Sequence, residues 1–265
     1  MRLLKTSEDI LENIKRITGK SVKFIHKPDM MNAYGQLKVA RKNMPEHLVY
    51  YRLEEGINWT VVHECGHIIR LFGAHIEDRK IPMSSLENRV AGAKQLSNEI
   101  LTLAKFIPDE DVLEYFNLWF LGVIEWLTSM PQDVQIEKWI YDNYVEIRNE
   151  QRILLDRIMM EGALCLNKQM TPEIVYETMV CLNYAFAVCI DSILGTDYTN
   201  PYDAVYDRFG ECALGIVNIV LQEDKGYKQD IENIDKIAEL LGIRSWYSWT
   251  DFENIPIDYT STGLR

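Results

Sequence analysis

The strongest constraint in this sequence is the pentapeptide His63–His67, which reads HECGH. It lies inside Asn58–Phe72, where apolar residues recur at helical spacing and predict one helix that ends at Gly73. Because residues four apart share a face of a helix, the two imidazoles point the same way and can bind one Zn²⁺ at about 2.0–2.1 Å. Glu64 follows the first histidine directly and is placed to hold a water that the metal activates.

A helix with two surface histidines and a surface glutamate is the alternative interpretation of this pattern. Val61, Val62, Ile68 and Ile69 flank the histidines, and surface histidines seldom have so much apolar bulk around them. The motif also takes two of only five histidines in the chain. We therefore expect a metal site on this helix.

The composition indicates a globular protein and argues against some classes of partner. The 265 residues suffice for one large domain or two small ones, with 47 % hydrophobic and 26 % charged residues. A net charge of −12 without a basic cluster argues against a nucleic-acid partner.

The distribution of apolar residues and cysteines predicts a cytoplasmic location. Met1–Gly19 has no apolar segment of the signal-peptide type, and Phe116–Leu127, the longest apolar stretch, is too short to span a bilayer. Five cysteines without paired spacing are typical of reduced thiols. We therefore expect no membrane partner.

The order of predicted elements gives an α+β fold that is predominantly α. A first helix stops at Gly19, and strand candidates follow at Ser21–His26, Gln36–Arg41 and His47–Leu53. Further helices are predicted at 86–106, 111–129, 132–148, 172–194, 202–222 and 231–241, with Pro131 at the first turn of the helix 132–148. The segment 149–166 either continues the helix 132–148 or follows it as a separate helix.

We expect a single zincin-like domain over residues 1–265. It has a small N-terminal sheet and the motif helix within about 1–75, a helical part over about 84–242, and an irregular tail over 243–265. A small sheet before an HExxH helix resembles the minimal layout of zincin metallopeptidases, in which the edge strand holds an extended peptide by backbone hydrogen bonds.

A catalytic zinc takes three protein ligands and keeps one position open, so a third ligand is needed. A metzincin would have a histidine where this chain has Gly73, which excludes that class and favours a carboxylate, as in gluzincins. The candidate carboxylates are Glu87, Glu99 and Glu137.

The surroundings of these glutamates favour Glu137. Glu87 has the spacing from the motif that thermolysin-like enzymes use, but Ala91 stands where those enzymes carry an orienting aspartate. Glu137 has Asp133 one helical turn before it, and Asp133 could orient a zinc-bound imidazole. The alternative is that both acids are surface charges near a helix N-terminus.

The segment Met130–Gln151 resembles the second motif of uncharacterised bacterial and phage HExxH proteins. It contains a proline, an aspartate, an Ile-Glu pair, an aromatic residue, a tyrosine, Arg148 and Gln151. Those proteins are gluzincin-like and distantly similar to ImmA/IrrE-type zinc peptidases, although the gap before the glutamate is longer here than in ImmA/IrrE proteins. The resemblance implies that Glu137 is the third zinc ligand.

The predicted activity is hydrolysis of a peptide or protein substrate by a zinc peptidase. Zn²⁺ held by His63, His67 and Glu137 would lower the pKa of a bound water towards about 7, and Glu64 would act as the general base. A further donor would hold the oxyanion. Candidates for this donor are Tyr141, Tyr144 and His75.

Two other functions are compatible with the same motifs. One is a catalytically degenerate zincin that acts as a protein-interaction module, and the other is a zinc hydrolase of non-peptide substrates. A closed structural zinc site is disfavoured, because no cysteine has a C-x-x-C partner and such a site would not need Glu64.

Overall fold

A three-stranded sheet lies on the N-terminal side of the protein, in a computed structural model that describes residues 3–30, 33–168 and 171–257. Helix α1 (Lys5–Thr18) precedes the strands β1 (Ser21–His26), β2 (Gly35–Lys38) and β3 (Glu46–Tyr51). The central strand is β3, with β1 parallel on one side and β2 antiparallel on the other. The three predicted strands are thus present, and β2 is an edge strand.

Helix α2 (Ile57–Gly73) carries the HECGH pentapeptide, and a carboxylate from a later helix closes its first turn. Glu150 accepts hydrogen bonds from the backbone N–H groups of Asn58 at 2.8 Å and Trp59 at 3.1 Å. The first N–H groups of a helix have no partner within the helix, so this carboxylate satisfies two of them and complements the helix dipole. Gly73 is the last residue of α2, one position beyond the predicted end.

The chain after α2 is mostly helical over the residues described, which confirms an α+β fold that is predominantly α. Its helices are α3 (Leu86–Gln95), α4 (Ser97–Leu103), α5 (Asp109–Asn143), α6 (Arg148–Gly162), α7 (Glu173–Leu194), α8 (Tyr206–Val220) and α9 (Tyr227–Leu240). The segment 86–106 was predicted as one helix and forms two. Helices α6 to α9 lie within a few residues of their predicted bounds.

Helix α5 continues through Pro131 as one helix of 35 residues, where the sequence predicts two helices at 111–129 and 132–148. Proline donates no backbone hydrogen bond and is unfavourable inside a helix, which is why a break is predicted there. Side chains make additional hydrogen bonds to the backbone near this turn. The hydroxyl of Thr128 donates to the carbonyl four residues earlier at 2.8 Å, and the amide of Gln132 donates to the carbonyl of Thr128 at 3.3 Å.

Helix α7 is long and apolar enough to span a membrane by length and composition. However, 61 % of its most apolar window is buried inside the protein, and the helix packs against α5 and α8. Burial on most sides is typical of a core helix.

A second, two-stranded sheet joins distant parts of the chain. Strand β4 (Lys80–Met83) pairs antiparallel with β5 (Ser248–Asp251). The prediction of an irregular tail over 243–265 is therefore wrong for β5, and Trp246 just before it is fully buried. A four-residue strand has too few residues for a recognisable period, and its partner lies far away in sequence. Residues 258–265 lie outside the described residues.

Two clusters of buried apolar residues meet beside α2. The smaller joins α1, the three-stranded sheet and α2, and the larger is built mainly from α5, α7, α8 and α9. Helix α5 belongs to both, since Val134 lies in the larger cluster and Ile136 in the smaller. Gly66 permits the close approach of the two helices, because a Cβ there would lie 2.9 Å from a methyl carbon of Ile136.

The buried histidine His47 of β3 makes the stability of this sheet depend on pH. Its Nδ1 accepts a hydrogen bond from the N–H of Ala40 at 3.0 Å, and its Nε2 lies 3.0 Å from the hydroxyl of Thr18. Burial, assisted by the charge of Lys20, lowers the pKa of His47 to about 4. The unfolded chain binds a proton at its ordinary pKa of about 6.5, so folding loses stability as the pH falls from about 6.5 to about 4.

We expect the wild type to lose about 2 kcal/mol more of its free energy of unfolding than His47→Asn when the pH is lowered from 7 to 5. Asparagine can accept the hydrogen bond of Ala40 and has no proton to gain. Urea unfolding of both proteins at the two pH values measures the difference. Equal changes in the two proteins would show that His47 does not contribute.

The hydrogen bonds of Glu150 predict a second effect on stability. We expect Glu150→Ala to lower the free energy of unfolding by about 2 kcal/mol, because two N–H groups at the start of α2 lose their acceptor. Glu232→Ala, at an exposed position of α9, is the control and should change stability by less than about 0.5 kcal/mol. Equal effects in urea unfolding would contradict the role given to Glu150.

Candidate metal centre

Two imidazoles of α2 and one carboxylate of α5 meet in the interior. Nε2 of His67 lies 3.2 Å from Oδ1 of Asp133, and Nε2 of His63 lies 3.5 Å from the same oxygen. Ligands at about 2.0–2.1 Å from a tetrahedral zinc are about 3.3–3.4 Å apart. All three residues are buried, and their ligand atoms lie within 4.8 Å of one another. His63, His67 and Asp133 therefore form a group that could hold a metal ion.

The other nitrogen of each ring is held by a different side chain of α5. Nδ1 of His63 donates to Oε1 of Glu137 at 2.7 Å, and Nδ1 of His67 makes a longer contact of 3.4 Å with Oε1 of Gln132. When Nδ1 carries the proton, Nε2 keeps its lone pair for a metal. Both rings are therefore oriented with their Nε2 atoms towards Asp133.

Both oxygens of the fully buried Glu137 are occupied by donors. Oε1 accepts from His63, and Oε2 accepts from the indole N–H of Trp59 at 3.1 Å and from the amide of Gln151 at 2.7 Å. Glu137 thus holds the ring of His63 in place through its Nδ1 atom, and neither oxygen of Glu137 is directed at the two Nε2 atoms.

The two carboxylates lie in positions opposite to those that the sequence predicts for them. Glu137 was expected to bind the metal and Asp133 to orient a ligand, but Asp133 lies against both Nε2 atoms and Glu137 lies against Nδ1 of His63. Glu87 is exposed on α3, and neither it nor Glu99 belongs to the group that could hold an ion.

Atoms of this group that lack other partners indicate that a cation fits the site. Nε2 of His67 and Oδ1 of Asp133 are buried and have no hydrogen-bond partner among the described residues, although they are only 3.2 Å apart. A buried polar atom without a partner costs about 1–3 kcal/mol. An ion bound to both atoms would remove that cost, and imidazole with carboxylate is a donor set that suits zinc.

The electrostatic environment of the group favours positive charge on His63 and negative charge on Asp133. Burial lowers the pKa of His63, but the carboxylates of Asp133 and Glu137 outweigh burial and raise this pKa well above its ordinary value. Burial raises the pKa of Asp133, whereas His63 and His67 together lower it to about 2. The site therefore stabilises positive charge between the imidazoles and negative charge on Asp133.

Glu64, the predicted base, is buried beside this group. Its Oε2 has no hydrogen-bond partner within the described part of the chain, and a Cβ at Gly35 would lie 2.3 Å from its Oε1. A larger residue at position 35 would therefore clash with the carboxylate of Glu64. Burial raises the pKa of Glu64, and the imidazoles of His63 and His67 oppose that rise.

A cavity of about 1060 Å³ opens beside the metal centre. His63, Glu64 and Asp133 are among the residues that line it. Helix α5 forms a long wall from Asp111 to Glu137, and α6 and α7 add residues such as Asn183 on other sides. The metal centre is therefore open to a ligand.

The predicted oxyanion donors do not line this cavity, whereas another tyrosine does. His75 is exposed just after α2, the ring of Tyr141 lies 4.3 Å from the guanidinium of Arg148, and Tyr144 packs edge-on against Trp139. Tyr34 lines the cavity, and its hydroxyl donates to Glu161 at 2.6 Å. Burial, followed by the contact with Glu161, raises the pKa of Tyr34 to about 12.

Sequence reasoning did not identify the contacts that hold Glu137 and His67 in place. Trp59 was interpreted as one of the apolar residues at helical spacing, Gln132 was given no role, and Gln151 was named only within the resemblance of Met130–Gln151. The polarity of Gln132 and Gln151 between buried neighbours was the available signal, because buried amides need hydrogen-bond partners. Their partners could not be identified without the contacts.

Comparison with protein-family models, with curated proteins and with solved structures finds no match to this chain. The assignment of function therefore depends on the chemistry of the site.

We expect the purified protein to bind one zinc ion per chain and to lose it in Asp133→Ala, while Glu137→Gln keeps the ion with affinity reduced about 10–100-fold. The reason is that Asp133 faces both Nε2 atoms, whereas Glu137 contacts only Nδ1 of His63 and orients that ring. Zinc affinity is measured by competition with a chromophoric chelator.

His75→Ala removes an exposed imidazole outside the site and is the control, with unchanged affinity. Circular dichroism establishes that each variant is folded. Loss of zinc in Glu137→Gln together with retention in Asp133→Ala would restore the original prediction of Glu137 as the ligand.

Proposed function

We propose that the protein is a zinc-dependent peptidase whose ion is bound by His63, His67 and Asp133. One observation carries the proposal. The two Nε2 atoms and Oδ1 of Asp133 have the spacing of zinc ligands, beside a cavity that the unpartnered carboxylate of Glu64 also lines. A structural zinc site normally has four protein ligands and needs no base next to it.

The residues of this chain suit hydrolysis of an amide. When bound, zinc would lower the pKa of a water to about 7 and polarise the carbonyl that the water attacks. Oε2 of Glu64 would take the proton of the attacking water and return it to the leaving nitrogen. Burial raises the pKa of Glu64, which makes this carboxylate a stronger base for the proton of the water.

A peptide substrate is favoured by the edge strand of the sheet. Tyr34 and Gly35, where β2 begins, line the same cavity as Glu64. A strand at the edge of a sheet can pair with an extended peptide through backbone hydrogen bonds. Such a peptide would pass directly over the proposed base.

The proposal keeps the zincin-like layout and changes its ligand set. The gluzincin-like assignment depended on Glu137 as a ligand, and that carboxylate is engaged by His63, Trp59 and Gln151. In the proposed site an aspartate binds the ion and the glutamate orients a histidine. These roles depart from the ligand set that the resemblance of Met130–Gln151 to the second motif of HExxH proteins implies.

We expect Glu64→Gln to keep the zinc and the fold but to lower peptide hydrolysis at least about 100-fold, because it removes the base alone. The zinc-loaded protein is incubated with a degenerate peptide library, and products are quantified by mass spectrometry. Removal of zinc by a chelator should abolish cleavage, and added zinc should restore it.

Glu223→Gln, at an exposed position after α8, is the matched control and should hydrolyse at the wild-type rate. Cleavage by Glu64→Gln at that rate would exclude the proposed mechanism.

A further inference from the structure

We propose that the cavity beside the metal centre binds a tyrosine side chain of the substrate, on a residue within two positions of the bond that is cut. The hydroxyl of this tyrosine would accept a hydrogen bond from the indole of Trp126 and donate one to the amide oxygen of Asn183. This inference deepens the proposed function and depends on it for the position of the bond. It is carried by an indole without a partner, by apolar walls and by a buried amide.

Trp126 carries a buried hydrogen-bond donor outside the metal centre. It belongs to α5 and lines the cavity two helical turns before Asp133. Its Nε1 is buried and has no hydrogen-bond partner among the described residues. A buried indole N–H usually has a partner, and leaving such a donor without one costs about 1–3 kcal/mol. An oxygen atom of a bound ligand would satisfy this donor.

Apolar side chains of α5, α6 and α7 form much of the cavity wall. They are Leu121, Trp126, Leu155, Ile158, Met179 and Phe186. The rings of Trp126 and Phe186 pack edge-on with their centroids 5.2 Å apart, and aromatic rings pack favourably against such pairs. At about 1060 Å³ the cavity is as large as pockets that enclose small-molecule ligands. It therefore has room for an aromatic side chain as well as for the backbone of the substrate.

Asn183 of α7 supplies an acceptor close to this aromatic pair. It lines the cavity three residues before Phe186 and is only 6 % exposed. Its amide nitrogen donates to the backbone carbonyl of Met179 at 2.8 Å, which fixes the amide and leaves its oxygen to accept a hydrogen bond. A Cβ at position 162 would lie 2.6 Å from this oxygen. The glycine at that position therefore leaves the oxygen uncovered.

These features together favour one kind of side chain. A hydroxyl group can accept from the indole and donate to the amide oxygen at the same time, which neither a carbonyl nor an ammonium group can do. The apolar walls favour a ring between this hydroxyl and the backbone, and tyrosine has that structure. No lysine or arginine is among the described residues that line the cavity. An anionic group such as phosphotyrosine is therefore disfavoured.

The position of Trp126 on α5 fits a tyrosine close to the bond that is cut. Two helical turns correspond to about 10 Å along the helix axis between Trp126 and Asp133. One extended residue spans about 3.5 Å, and the long side chain of tyrosine covers much of the remaining distance. A residue one or two positions from the bond can thus place its hydroxyl at the indole.

The test compares two degenerate peptide libraries that differ at one fixed position. One library carries tyrosine there and the other phenylalanine, and all other positions exclude aromatic residues. With zinc-loaded wild-type protein, we expect cleavage within two residues of tyrosine to be at least about tenfold faster than at phenylalanine, since phenylalanine leaves the indole and the amide without partners. Products are quantified by mass spectrometry.

Trp126→Phe removes the indole N–H and keeps an aromatic ring, so the ratio of the two rates should fall at least about threefold. Trp139→Phe is the matched control, because Trp139 lies on the same helix outside the lining and packs against Tyr144. The control should keep the wild-type ratio. Thermal unfolding establishes that both variants are folded. If Trp126→Phe does not fold, Asn183→Leu replaces it and should lower the ratio by a similar factor.

The outcomes separate this inference from the proposed function. Equal rates on the two libraries, or a ratio that the cavity variants leave unchanged, overturn the inference and leave the peptidase intact. If neither library is cut, the peptidase proposal fails, and binding of the two libraries to the zinc-loaded protein decides the inference. Binding at least about tenfold tighter with tyrosine, weakened in Trp126→Phe, upholds the tyrosine pocket, and equal binding overturns it.

Discussion

The hydrogen bonds to the buried carboxylate of Glu137 connect three helices, and the metal centre depends on them. Glu137 belongs to α5 and accepts from His63 and Trp59 of α2 and from Gln151 of α6. A buried carboxylate with three donors has little freedom, so the ring of His63 is oriented by the fold. Glu150, the residue before Gln151, holds the first turn of α2. One turn of α6 thus fixes both the motif helix and the carboxylate behind it.

This arrangement places unusual electrostatic demands on the interior. Buried charges are unfavourable unless they are paired, and the carboxylates of Glu64, Asp133 and Glu137 lie around only two imidazoles. A divalent ion would supply the missing positive charge. Binding of an ion would therefore contribute to the stability of the fold as well as to the chemistry of the site.

The motif helix could be predicted from the sequence because its signals are local, namely apolar residues at helical spacing and two histidines one turn apart. The roles of Asp133 and Glu137 could not be predicted, since these residues lie one turn apart on one face of α5. Which of them reaches the Nε2 atoms depends on where α5 crosses α2, and that crossing is set by the packing of Ile136 on Gly66. The continuous course of α5 through Pro131 likewise depends on packing against distant helices.

The pairing of β4 with β5 has a consequence for the synthesis of the protein. The C-terminal half of α2 is followed by β4, which pairs with β5. The residues that contact this half of α2 also come late in the chain, since Arg70 pairs with Asp230 and Phe72 packs against Phe252. At about 5–20 residues per second, these partners leave the ribosome on the order of ten seconds after α2. During that time the end of the motif helix lacks its contacts. The half of the molecule that contains the candidate metal centre can therefore complete its folding only after Phe252 has been synthesised, so α2 and the C-terminal segment fold as one unit.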